Sequence, residues 1–149
     1  MIPHTIRCIL PLSLLLACGL ALAEPSAAGH WTQFDDRDGK PRSIVRIDET
    51  AGGFEGHVEQ VFPRPGDDPE PVCKQCTDSR RGQKVVGMKF IAGLQREGLD
   101  YTGGEILDPA NGKVYRARMT LSADGNTLTV RGFVGISLLG RSQIWTRLR

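Results

Sequence analysis

The sequence predicts an all-β domain of about eight short antiparallel strands joined largely by hairpins, arranged as an up-and-down barrel or a sandwich. Three observations carry that expectation. Glycine accounts for 18 of the 149 residues, well above an average usage of about 7%, and it punctuates the chain at short intervals. Asp38-Gly39, Gly52-Gly53, Asn111-Gly112 and Asp124-Gly125 are dipeptides of the kind tight hairpin turns need. Between them, apolar and polar residues alternate instead of recurring at helical spacing.

In chain order, residues 31–35 and 43–48 are the first two predicted strands. Residues 54–62 follow, with Phe54, Val58 and Phe62 on one face and Glu55, His57 and Glu59 on the other. Residues 63–84 are polar, rich in proline and without period, which predicts a long surface loop around Cys73 and Cys76. Over 85–94, Met88, Ile91 and Leu94 fit a helical turn, while Met88-Lys89-Phe90-Ile91 fits a short strand; the strand is preferred. Gly103 and Gly104 weaken the strand expected at 101–107. Tyr115, Ala117, Met119 and Leu121 then alternate with Val114, Arg116, Arg118 and Thr120, the pattern of a sheet with one face in a core. Residues 127–134 and 143–148 complete the set. The connection between these last two, Gly135-Ile136-Ser137-Leu138-Leu139-Gly140, is unusually apolar for a loop. It is expected to fold over one end of the domain and plug it. The competing reading is a rim that offers Ile136, Leu138 and Leu139 to a ligand, partner or membrane.

Residues 1–23 are expected to be an export signal and residues 24–149 a single domain. Arg7 precedes an apolar run that closes on Ala21-Leu22-Ala23, the small-x-small pattern cut by signal peptidase. The run falls short of about 20 clean apolar residues, so a transmembrane anchor is disfavoured. Leu15-Leu16-Ala17-Cys18-Gly19 also resembles a lipobox, which would anchor the chain through Cys18, but Leu16 stands where a smaller residue is usual. The remaining 126 residues hold 18 basic and 17 acidic side chains, which gives no electrostatic case for nucleic acid.

Gly29-His30-Trp31 near the start and Trp145-Thr146-Arg147 near the end resemble lipocalin-like barrels, in which a Gly-x-Trp on the first strand meets an Arg on the last. The segments at 39–47, 106–109, 111–115 and 130–141, with Gly87-Met88 and the Cys73-x-x-Cys76 pair, resemble an exported bacterial family classed as domain-of-unknown-function family 2147. The resemblance spans nearly the whole domain. It implies a periplasmic, lipocalin-like up-and-down barrel with a disulfide-stapled loop, and no established activity. Trp31 and Arg147 are expected to stack as a structural clasp at one end of that barrel.

Candidate chemistry is sparse. Cys73-Lys74-Gln75-Cys76 fits either a redox dithiol or a disulfide staple. No helical pattern follows it to lower a thiol pKa, so the staple is preferred. His30 and His57 lack the spacing of zinc ligands. Asp36-Arg37-Asp38-Gly39 imitates part of a calcium loop, but Phe34 and Val45 stand where acids are needed. Asp35, Asp36, Glu55 and Glu105 can be drawn as carboxylate pairs and are expected to be solvated. Arg116, Arg118 and Arg131 form a basic strip on the presumed outer face. No triad, metal site or cofactor motif is found, and no enzymatic role is expected. The expected function is binding of a small apolar or amphipathic ligand, with Tyr115, Met119 and Val130 lining its site. The alternative is an envelope interaction module with a solid core. Ala117, Gly132 and Gly56 would leave room in the interior, whereas Tyr115, Met119 and Phe62 would fill it.

Overall fold

The strands β1 (Gly29–Phe34), β2 (Pro41–Thr50), β3 (Gly53–Val61), β4 (Lys89–Glu97), β5 (Asp100–Asp108), β6 (Lys113–Leu121), β7 (Thr127–Phe133) and β8 (Gly140–Arg147) follow one another around a closed antiparallel barrel. This computed structural model describes residues 24–136 and 139–149. The expected export segment with Cys18, and Leu138 of the expected rim, lie outside them. Closure is made by β1 against β8, where Trp31 pairs with Arg147 and Thr32 with Thr146. Every strand pairs with its sequence neighbour, so each connection is a hairpin and no sheet edge is left open. Among the described residues, no helix is long and apolar enough to cross a membrane.

Alternation is the local cause of the fold. On β6, Ala117, Met119 and Leu121 are buried while Arg116, Arg118 and Thr120 are exposed, so one face of the strand supplies the core and the other meets water. The ambiguous stretch around Met88 resolves as a strand that begins at Lys89, with Phe90, Ile91 and Leu94 buried. Two bulges then alter what simple alternation predicts. Ile44 pairs with Gln60 but Val45 pairs with Val58, so Glu59 is an extra residue on β3. The insertion reverses the phase beyond it: Val61 faces the interior and Phe62 does not share the face of Phe54 and Val58. The second bulge keeps β5 continuous where glycine was expected to weaken it. Tyr101 opposes Met119 and Gly104 opposes Ala117, with Gly103 at a φ of 80°. A Cβ on Gly104 would overlap the Ala92 carbonyl of β4, so the close approach of β4 to β5 there requires glycine.

One end of the barrel is sealed. Trp31, Tyr101, Leu121, Leu128 and Trp145 are all but inaccessible to solvent, and Phe54 meets the Tyr101 ring edge-on at 4.7 Å. The N-terminal segment 24–28 crosses this end. The Tyr101 hydroxyl accepts from the Ala27 amide at 2.9 Å, and Trp31 Nε1 donates to the Ala27 carbonyl at 2.9 Å. Arg96 donates to the Pro25 carbonyl at 2.9 Å. The β7–β8 connection lies at the opposite end, and its described residues Ile136 and Leu139 are 61% and 69% exposed, so neither fills the barrel as the expected plug would. The end that is filled is closed by the N-terminal segment, whose backbone groups are paired.

Candidate ligand-binding site

The other end of the barrel is open. There the C-terminal ends of β1, β3, β5 and β7 meet the N-terminal ends of β2, β4, β6 and β8, and the interior widens into a cavity of about 770 Å³ that faces solvent. This is within the range of small-molecule sites, roughly 300–1,000 Å³. Val58, Val61, Phe90, Ile106, Tyr115 and Val130 give it an apolar wall. Gly132 also lines it, and its lack of a side chain lets Ile106 and Tyr115 pack close over the β7 backbone, where a Cβ would stand 3.2 Å from Ile106. The cavity is a mouth and not an enclosed void, so a ligand would keep one end near water.

The expected lining residues separate by depth. Tyr115 and Val130 line the cavity. Met119 shares their inward face but is completely buried in the packed half, opposite Tyr101 on β5 and Val130 on β7. It lies outside the lining. Val134 and Leu139 stand at the cavity rim, and Ile136 is exposed on the same connection.

The long loop between β3 and β4 forms one side of the mouth, through Pro63, Asp67, Pro71, Val72, Lys74, Gln75 and Val85. Three kinds of contact fasten it. Near its start, Arg64 bonds Asp35 at 3.0 Å and Asp38 at 2.7 Å, and Arg42 bonds Asp67 at 2.7 Å. These cations hold Asp67 below the usual carboxylate range, chiefly through the Arg42 side chain. Asp35 is lowered as well, first by its hydrogen bonds from Arg37. Further on, Cys73 and Cys76 form a disulfide, and both residues are buried against the barrel. The β5–β6 turn holds this ring: Gly112 adopts a φ of 71°, and a Cβ there would overlap the Gln75 carbonyl. The disulfide therefore braces the wall of the cavity, and its burial shields the sulfurs from an exchanging thiol.

The clasp lies at the far, sealed end. The Arg147 guanidinium stacks on the Trp31 ring at 4.3 Å. It also donates to the Gly125 carbonyl at 2.6 Å, the Ala28 carbonyl at 2.9 Å and the Ser26 carbonyl at 2.6 Å. Burial pushes its pKa below the ordinary arginine value, yet an arginine remains charged at neutral pH. These contacts tie three chain segments together, away from the cavity.

The other candidate groups form separate pairs among the described residues. His30 bonds Glu59 at 2.7 Å and His57 lies 3.7 Å from Asp48, both pairs being on the outer face. Among the described residues, no three His, Cys, Asp or Glu side chains converge as metal ligands. Asp36 pairs with Arg141 and Glu55 with Lys89. In the basic strip, Arg118 bonds Asp100 at 3.1 Å, Arg131 donates to Ser142 and Arg116 reaches the Gly135 carbonyl.

A polar array went unnoticed in the sequence. Gln33, Ser43 and Gln143 face the cavity from β1, β2 and β8 and form a hydrogen-bonded chain that reaches the Trp145 indole. A signal was present: Gln33 and Gln143 each stand two residues from a buried tryptophan on the same strand, and strand periodicity turns i and i+2 to the same face.

No curated protein matches the sequence. Among solved structures, the chain is similar to one described as "Protein HP1028 from the human pathogen Helicobacter pylori belongs to the lipocalin family". The TM-score is 0.72 at 20% identity, over 84% of each chain; at that identity the likeness establishes the fold alone. A family model described as "Uncharacterized protein conserved in bacteria (DUF2147)" matches residues 29–147, from the first residue of β1 to the last of β8. This chain is accordingly a member of the bacterial DUF2147 family, built on a lipocalin-like barrel.

Proposed function

We propose that the chain is an exported periplasmic binding protein, with no catalytic role, that holds a small apolar or amphipathic molecule in the open half of the barrel. The observation that carries this is the asymmetry of the interior. One half is packed solid around Trp31, Tyr101 and Trp145, while the other leaves about 770 Å³ behind an apolar wall. A twelve-carbon chain fully withdrawn from water gains about 9 kcal/mol at roughly 0.8 kcal/mol per methylene. Association costs at least about 4 kcal/mol, and two hydrogen bonds return about 2. The balance is at most about 7 kcal/mol, which corresponds to a Kd of about 10 μM or weaker.

The test is to strip bound lipid from the mature protein and titrate it with an environment-sensitive fluorophore, then displace the probe with medium-chain amphipaths. Val61→Trp, which fills the cavity from its partly exposed wall, should abolish saturable binding while the thermal midpoint stays within a few degrees. Absence of saturable binding to the wild-type protein overturns the proposal. A surface-interaction role would then take its place, favoured by the exposed Val134, Ile136 and Leu139 at the rim. Periplasmic export rests on Arg7, the apolar run and Ala21-Leu22-Ala23. A mature mass beginning at Glu24 supports it, and a lipidated Cys18 terminus would replace it with an anchored form.

A further inference from the structure

The cavity has two chemically different sides. Across β3 to β7 it presents Val58, Phe90, Ile106, Tyr115 and Val130. Across β8, β1 and β2 it presents a hydrogen-bonded chain. Trp145 Nε1 donates to Gln143 Oε1 at 3.3 Å, and Gln33 Nε2 donates to the same oxygen at 2.8 Å. Ser43 Oγ donates to Gln33 Oε1 at 2.5 Å.

These groups do not saturate one another. An amide nitrogen carries two hydrogens, an amide oxygen two lone pairs, and a hydroxyl one hydrogen and two lone pairs. Gln33 Nε2 uses one hydrogen on Gln143, and Gln33 Oε1 uses one lone pair on Ser43. A donor on Gln33 and acceptor sites on Gln33 and Ser43 therefore remain at the cavity surface. Satisfying the buried indole does not explain them, since Trp145 reaches only Gln143 in the chain. Apolar side chains at 33 and 43 would leave that bond intact.

The polar wall also carries no net charge. Gln143 Nε2 approaches Asp36 at 3.4 Å, but Asp36 is paired with Arg141 at the rim. Arg42, the other rim cation on this side, is paired with Asp67, and Lys74, the third cation lining the cavity, belongs to the disulfide ring held on the β5–β6 turn and not to this wall. A carboxylate or ammonium group pressed against Gln33 would lose its water without gaining a counter-ion, which is costly. A hydroxyl or amide group would match donor to acceptor and acceptor to donor.

We propose that the ligand is an uncharged amphipath of the long-chain alcohol or fatty-amide class. Its hydrogen-bonding group lies against Gln33 and Ser43, and its hydrocarbon lies against the β3–β7 wall. This rests on the reading of the cavity as a ligand site and specifies the head group that site accepts.

The experiment compares three probes that share one dodecyl chain: dodecanol, dodecanamide and dodecanoate. Each displaces the fluorophore from the full mature protein at about pH 7.5, where the acid is ionised. On the wild-type protein, the alcohol and the amide should displace it at concentrations at least about tenfold lower than dodecanoate. Gln33→Leu and Ser43→Ala should shrink that preference to about threefold or less. Dodecanoate binding as tightly as the alcohol to wild type, or an unchanged preference in Gln33→Leu, overturns the head-group proposal while leaving the binding reading in place. Failure of all three probes and of the fluorophore to bind saturably removes both. The wild-type comparison needs no variant, so it stands even where a substitution impairs folding.

Discussion

Arg147→Ala should destabilise the barrel by about 3–5 kcal/mol, more than a cation–π contact alone can supply. The stacking on Trp31 accounts for about 0.5–2 kcal/mol. The remainder comes from the three carbonyls that Arg147 serves, on Gly125, Ala28 and Ser26. Hydrogen bonds to a charged group contribute about 1.5–3 kcal/mol each, but bonds sharing one guanidinium do not add fully, and water can reach the carbonyls of the half-buried Ser26 and Ala28 when it is removed. Lysine keeps the charge and can serve one carbonyl, but it has no plane to stack and no fork, so Arg147→Lys should lose about half as much. Equilibrium urea unfolding reads both, as a lowered midpoint at unchanged slope. With a slope of about 1.5–2 kcal/mol/M, Arg147→Ala should lower the midpoint by about 2 M. Amide exchange at Ala27, whose N–H bonds Tyr101, should accelerate in parallel as the N-terminal segment loosens. A loss below about 1 kcal/mol, or full rescue by lysine, would refute the clasp as the fastening of the sealed end.

Other outcomes follow from the open end and from the charges. Gly112→Ala combines a backbone at φ 71° with a Cβ that overlaps the Gln75 carbonyl; it should cost about 2 kcal/mol or more and weaken probe binding, and an unchanged urea midpoint would contradict the docking of the disulfide ring on this turn. Native protein should show no free thiol and no turnover in an insulin-reduction assay, and Cys73→Ser/Cys76→Ser should lose about 2 kcal/mol; catalytic thiol exchange would restore the redox reading. Acid should destabilise the fold. Asp78 and Asp124 are held at about 2, chiefly by hydrogen bonds from Arg80 and Ser122 respectively, so the folded state binds fewer protons than the unfolded one. Their contribution is fully present above about pH 4 and is lost as pH falls towards about 2. Urea midpoints that rise over that interval would show the sign to be wrong.

Alternation was enough to locate strands because it is a local property: each residue's face follows from its neighbours two positions away. It failed where the backbone departs from strict period. Glu59 carries no mark of an inserted residue, and the bulge that moves Val61 inward in place of Phe62 exists only because Ile44 and Val45 of β2 pair on either side of it. Gly103 and Gly104 read as an interruption, yet pairing with β4 and β6 makes them the bulge that lets β5 continue.

For the site, the Gly-x-Trp and terminal Arg already pointed to contact between Trp31 and Arg147, since strands that close a barrel bring its two ends together. The three carbonyls beneath the guanidinium belong to residues up to 121 positions away, and no local pattern encodes them. Tyr115, Met119 and Val130 share an inward face, and periodicity could say only that. Which of them borders open space depends on their depth along the tilted barrel, set by how eight strands close, and on the N-terminal segment that fills the other end. The sequence alone therefore determined the class of fold and the facing of most side chains, because these follow from short-range pattern. Only the tertiary structure decided which end is sealed, where the cavity lies and that Gln33, Ser43 and Gln143 meet within it, because those depend on closure between segments distant along the chain.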